Sequence, residues 1–199
     1  MPLGYATQTT REIVNMADLK VLGICGSLRK ASLNMAALRA CNELLPAGMT
    51  LQITSIADIP MFNQDVFDAG MPDPVKRLRG EITAADGLLL ASPEYNFSVS
   101  GALKNAIDWG SRAPNQVFQD KPVAMFSCTP GPVGGARGQY DLRRMLSQLW
   151  AHPLPRPEVF IGNAPSKFAD GKLTDETTRK FLTELLAGFR DWILRMQKK

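Results

Sequence analysis

Lys20-Val21-Leu22-Gly23-Ile24-Cys25-Gly26-Ser27-Leu28-Arg29-Lys30-Ala31-Ser32-Leu33-Asn34 reads as a short buried strand, a glycine turn, a polar loop and the start of a helix. Gly26 lets the chain turn without a Cβ penalty, and Ser27, Ser32 and Asn34 are residue types that suit a helix N-terminus. A loop of this kind aims backbone N–H groups at one point beyond the strand, where the helix dipole also favours an anion. Arg29 adds a guanidinium able to fork onto phosphate oxygens. The pattern predicts a pocket for one phosphate group; its plain alternative is an ordinary connection whose serines only cap the helix. Neither G-x-x-x-x-G-K-[ST] nor G-x-G-x-x-G occurs, so a P-loop nucleotidase and a dinucleotide fingerprint are both unsupported.

Outward from this stretch, apolar runs alternate with helical periodicity. Strands are expected near Leu19–Cys25, Thr50–Ile56, Gly87–Ala91, Pro122–Cys128 and Glu158–Gly162. Helices are expected near Ser32–Leu45, Pro74–Ala85, Gly101–Trp109, Gly135–Trp150 and Thr174–Met196. Gly87-Leu88-Leu89-Leu90-Ala91 is apolar throughout, as a strand covered on both faces requires. The fold class is therefore α/β: a three-layer sandwich with a five-stranded parallel sheet and helices on both faces. Ligands in such sheets sit beyond the carboxyl ends of the strands, where strand order reverses. Residues 1–18 are polar and aperiodic, and read as a flexible extension before a domain spanning 19–199.

The chain has 199 residues, 45% hydrophobic and 21% charged, with a net charge of +4. That excess is small and gathers partly at Arg195, Lys198 and Lys199; no dense basic cluster with interleaved aromatics suggests a nucleic-acid partner. Three cysteines without framework spacing fit a reducing cytoplasm, and no apolar run reaches membrane-spanning length. His152 is the only histidine and has no evident zinc partners, and no G-x-S-x-G elbow is present, so no metal and no catalytic side chain are assigned.

The loop after the third strand, Ser92-Pro93-Glu94-Tyr95-Asn96-Phe97-Ser98-Val99-Ser100-Gly101, offers flat aromatic surfaces and, in Asn96, a group that both donates and accepts. Gly101 is expected to permit close backbone approach at the next helix start. Lys104 and Asp108 are spaced for an ion pair on that helix. Exposed Met61 and Phe62 read either as a contact surface or as a small satellite core.

Taken together, Gly26-Ser27-Leu28-Arg29-Lys30-x-Ser32-x-Asn34 and Pro93-Glu94-Tyr95-Asn96 leading to Gly101-x-Leu103-Lys104-Asn105-Ala106-Ile107-Asp108-Trp109 resemble the NADPH-dependent FMN reductase family, which includes quinone, azo-dye and chromate reductases. The similarity runs from about residue 19 to the C-terminus. It implies a flavodoxin-like fold of strand order 2-1-3-4-5 and non-covalent FMN. The phosphate would lie on Ser27, Leu28, Arg29, Ser32, Leu33 and Asn34. Pro93, Glu94, Tyr95, Asn96 and Phe97 would edge the ring, largely through backbone groups, with Thr129 of the glycine-rich third loop nearby. Asp141 stands where the family often has histidine.

The resemblance also implies NADPH or NADH as hydride donor, a small-molecule acceptor, and a homodimer or homotetramer, with Met61, Phe62, Arg137, Tyr140 and Glu158 as interface candidates. Because a flavin carries the difficult chemistry, no protein nucleophile is required. Two other readings stay open: a flavodoxin-type electron carrier, disfavoured by the net positive charge, and a reductase releasing reduced FMN to a monooxygenase.

Overall fold

A central strand packed between two helical layers must be apolar on both faces, and Gly87–Ala91 is buried at every position. The computed structural model describes residues 18–198, so the extension expected over 1–18 lies, but for Asp18, outside the described residues. In chain order the first elements are β1 (Leu19–Cys25), α1 (Leu33–Leu44), β2 (Met49–Thr54), α2 (Gln64–Ala69), α3 (Asp73–Ala84) and β3 (Gly87–Ala91). They are followed by β4 (Glu94–Tyr95), β5 (Ser98–Val99), α4 (Gly101–Gly110), β6 (Pro122–Cys128) and α5 (Ala136–Gln148). The chain ends with β7 (His152–Pro153), β8 (Val159–Ile161), β9 (Phe168–Ala169), β10 (Lys172–Leu173) and α6 (Glu176–Gln197).

The main sheet is parallel, in the order β2-β1-β3-β6, and its far edge is shared by β7 and β8. β7 pairs with the start of β6 and β8 with its end. Counted by position, this is the expected 2-1-3-4-5 order with the fifth strand broken in two. Pro155 and Pro157 occupy the break, and neither can donate to a ladder, a defect tolerated only at an edge.

Period-two alternation sends Leu89 and Phe126 to one side of the sheet, against Leu38 of α1 and Leu186 and Phe189 of α6. Leu88, Leu90 and Met125 point to the other side, against Leu78 of α3, Leu103 and Trp109 of α4 and Leu142 of α5. Trp109 is fully buried and its Nε1 donates to Pro60 O at 2.8 Å. Phe62 stands edge-on to Trp109, with ring centroids 4.9 Å apart, so the Met61-Phe62 loop is half satellite core: Phe62 packs inward while Met61 stays 77% exposed.

Arg79 of α3 fastens the end of α4. Its guanidinium donates to the carbonyls of Trp109, Gly110, Arg112, Pro114 and Asn115 at 2.9–3.1 Å. A fixed positive charge at a helix C-terminus also complements the dipole there.

Three expectations change. α2 forms where a loop was expected, capped by the Asn63 side chain on Asp65 N. The loop after β3 contains the β4–β5 hairpin, and the irregular segment before α6 contains the β9–β10 hairpin. Ser32, by contrast, caps α1 as its residue type suggested, its Oγ accepting from Met35 N at 3.1 Å.

Candidate functional site

Three loops meet at the carboxyl end of the sheet: the first after β1, the second after β3, the third after β6. Between them lies a cleft of about 210 Å³ lined by Ser27, Arg29, Ser32, Leu33, Asn34, Pro93, Glu94, Tyr95, Cys128, Thr129 and Pro130. Larger hollows exist elsewhere, but none of those gathers the three loops. β1 has β2 on one side and β3 on the other, so the cleft opens at the point where strand order reverses.

The first loop has the donors that an anion cradle needs. Leu33 and Asn34 are the first two residues of α1, and their backbone N–H groups have no acceptor among the described residues. Those free donors and the helix dipole face the loop. Ser27 is 9% exposed and its hydroxyl likewise makes no hydrogen bond among the described residues. Arg29 is exposed and has no carboxylate partner there.

Gly26 holds the first loop against the second. A Cβ built on it would lie 2.9 Å from Ser100 Oγ and 3.0 Å from Pro93 Cδ. Its φ is not positive, so the glycine is needed for close approach, which corrects the expected reason, an eased turn. Gly101 reverses likewise: a Cβ there would meet nothing within 4 Å, so no close approach depends on it.

Beneath the cradle sits a thiol. The Cys25 Sγ accepts from Ser27 N at 3.5 Å and lies 3.9 Å from Ser32 Oγ. Burial pushes its pKa up, outweighing its bonds to Ser27 and Ser32. Cys128 is pushed up to about 12, again chiefly by burial. Both thiols are therefore neutral near pH 7 and place no negative charge beside a phosphate.

The second loop is braced on α5. Glu94 lines the cleft, yet its carboxylate turns away to accept Gly138 N at 2.8 Å, in the first turn of α5. Gly135, the residue before that helix, supplies no side-chain cap, so Glu94 provides one from outside. Ser98 donates to Asp141, which also pairs with Arg144 at 2.6 Å. At the hairpin tip Asn96 (φ 50°) and Phe97 (φ 64°) are both left-handed, as a primed hairpin turn requires. A phenylalanine there is strained, and Arg137 stacks on it, 4.3 Å from the ring centroid. The third loop lies flat on the sheet: Gly134 and Gly135 have φ 67° and 86°, and Ser127 Oγ donates to Gly134 O.

Of the residues expected to hold a cofactor, Ser27, Arg29, Ser32, Leu33, Asn34, Pro93, Glu94, Tyr95 and Thr129 line the cleft. Leu28, Asn96 and Phe97 do not; they are exposed beside it. Sequence reasoning missed Pro130 as a lining residue, and it put Cys128 close to the site but favoured a plain buried thiol. Its position at the carboxyl end of a central strand was the available signal. Lys104 and Asp108 pair at 2.7 Å as the spacing predicted. Among the described residues no group of histidine, cysteine or carboxylate side chains could hold a metal. No described helix is long and apolar enough to cross a membrane.

The chemistry of this donor set fits FMN: free N–H groups, a hydroxyl and a guanidinium at one end, and a proline- and tyrosine-lined wall at the other. Comparison with known proteins agrees. The family profile described as NADPH-dependent FMN reductase matches residues 19–166. An NAD(P)H-dependent FMN reductase of Pseudomonas aeruginosa is 47% identical over 181 residues, covering 90% of this chain and 98% of the relative. A quinone reductase of Escherichia coli K12 is 41% identical over 184 residues, with 90% and 97% covered. Among solved structures, the flavoenzyme FerB, an NAD(P)H:(acceptor) oxidoreductase of Paracoccus denitrificans, superposes with a TM-score of 0.81 at 36% identity, over 89% of this chain and 98% of that one. By its cleft, its strand order and these likenesses, the chain belongs to the NADPH-dependent FMN reductase family.

Proposed function

We propose that this protein is an FMN-dependent NAD(P)H oxidoreductase that reduces quinones or similar acceptors, such as azo compounds and chromate, in a ping-pong cycle. The carrying observation is the convergence of three loops on one cleft at the sheet's switch point, with the open N-terminus of α1 and Arg29 at one end. The enzyme class, FMN and NAD(P)H come with the family. The quinone is taken from the relatives.

Bound in the cleft, FMN supplies reversible hydride and electron chemistry between a nicotinamide and an oxidised acceptor. The chain's own residues bind, orient and exclude water. The N–H groups of Leu33 and Asn34, the Ser27 hydroxyl and Arg29 offset the charge of a phosphate dianion. Leu33 walls the cleft with apolar surface beside that end, and Pro93 does so at the ring end. Glu94 is already committed to Gly138, so the ring end meets a wall held rigid by α5. Tyr95, 51% exposed, leaves the outer face open. One open face serving donor and acceptor in turn requires the first to leave before the second binds, which is ping-pong order.

We further propose that the protein works as a homodimer or homotetramer in the cytoplasm. Exposed Met61, Tyr140 and Phe97 support the assembly, and three free buried thiols support the reducing compartment. Glu158 is already close to Arg143 of the same chain, at 3.6 Å. Arg137→Ala tests the interface: light scattering should show a smaller species, and an unchanged assembly would remove Arg137 from it.

Anaerobic addition of NADPH to the FMN-loaded protein tests the main reading. The flavin bands should bleach and a quinone should restore them. Bands that persist would favour an electron carrier, and flavin lost on gel filtration would favour a supplier of free reduced FMN.

A further inference from the structure

We propose that Asn34 is a positioning residue: its side chain completes the sheet and holds the first and third loops at a fixed separation, so it acts on the flavin through the width of the cleft. The proposal rests on the FMN reading above.

β3 and β6 pair as far as Ala91 and Phe126, and Ser92 N donates to Phe126 O at 2.9 Å as the last rung. The next rung would need a peptide group opposite Cys128. β3 would have to bring the Glu94 N–H to Cys128 O, but the chain leaves the sheet at Pro93 to form the hairpin. On its other edge β6 stays paired, with Thr129 N donating to Ile161 O at 3.0 Å. Because successive peptide groups in a strand face opposite neighbours, Cys128 presents its N–H and C=O to the vacated edge. Cys128 is 4% exposed, so leaving both unpaired would be costly.

Asn34 fills the gap. Its Nδ2 donates to Cys128 O at 2.8 Å and its Oδ1 accepts from Cys128 N at 3.1 Å, across 94 residues of sequence. A primary amide carries a donor and an acceptor side by side, as a peptide does, and here it serves as one. Asn34 is 5% exposed and sits at the second position of α1, beside the phosphate loop; Cys128 directly precedes Thr129. One side chain thus ties the wall expected to hold the phosphate to the wall expected to border the ring.

A phosphate ligand and a brace predict different losses. Calorimetric titration of the FMN-free protein with FMN and with riboflavin, which lacks the phosphate, separates them. Asn34→Ala should weaken both flavins by a similar factor, roughly tenfold or more. A loss confined to FMN, or no loss with either, would overturn the proposal. Hydrogen exchange on the FMN-free wild-type protein provides a second reading that needs no variant to fold. The Cys128 amide should exchange at the slow rate of the sheet interior; exchange as fast as the exposed loop 130–133 would also overturn it. Should the wild-type protein bind no flavin, the functional reading fails, while the exchange measurement still decides the brace.

Discussion

Gly26→Ala is the smallest change that should open the cleft. The added methyl would stand 2.9 Å from Ser100 Oγ, 3.0 Å from Pro93 Cδ and 3.1 Å from Leu103 Cβ. None of these neighbours can step aside cheaply. Ser100 Oγ donates to Gly26 O at 2.7 Å and accepts from Leu103 N at 3.3 Å, so its rotation breaks two bonds and uncaps α4. Leu103 is 1% exposed, and Pro93 is held by its own ring. Relief therefore comes from separating the first loop from the second. Overpacking of this kind costs about 1–3 kcal/mol, and a lost cap adds roughly 1 kcal/mol. At ~2–4 °C per kcal/mol for a domain of this size, the melting temperature should fall by roughly 4–16 °C. Thermal denaturation followed by circular dichroism reads the first effect, and FMN titration should show weaker binding alongside it. Adding Ser100→Ala removes the clashing oxygen, so the double variant should be less destabilised than the sum of the two singles. An unchanged melting temperature with unchanged FMN affinity would refute the steric argument.

The remaining predictions concern charge. Arg29→Ala should weaken FMN binding by ~1.5–3 kcal/mol, the range for a hydrogen bond to a charged group; equal affinity in a fluorescence titration would remove Arg29 from the cradle. Arg79→Lys should destabilise the fold by about 2–3 kcal/mol, since an ammonium cannot fork across five carbonyls at the end of α4, and an unchanged urea midpoint would contradict this. The Ser98 bond, and then Arg144, hold the Asp141 carboxyl below its ordinary pKa. A depressed folded value means that this stabilisation is complete above the unfolded pKa of about 3.9 and is lost as pH falls through the folded one. Urea midpoints of the wild-type protein and Asp141→Asn should therefore converge below about pH 4; a constant gap across that range would argue that the hairpin does not lean on the ionised carboxylate.

The parts of this fold most open to sequence reading are those where burial alone selects the residues. Gly87–Ala91 and Pro122–Cys128 are bounded in the structure at the expected residues, because apolar side chains are needed at every position of a strand covered on both faces. The N-terminus of α1 was legible through Ser32, whose capping bond is local. What the sequence concealed depends on partners distant along the chain. Asn34 has the residue type of a phosphate contact, and only the departure of β3 at Pro93 reveals its pairing with Cys128. Glu94 reads as a ring-edge acid until α5 arrives without a cap of its own. The hairpin tip was hidden because phenylalanine at φ 64° contradicts turn preferences, and the stacked Arg137 lies forty residues on. Gly26 and Gly101 look alike in sequence; one is crowded by two loops and the other faces open space.

A crystal structure of the protein grown with FMN tests the central claim most directly. The account predicts the phosphate at the N-terminus of α1, within hydrogen-bond distance of the Leu33 and Asn34 backbone N–H groups and of Arg29, with the ring toward Pro93–Tyr95 and Thr129. A phosphate seated elsewhere, or a cleft that stays empty at saturating FMN, would contradict it.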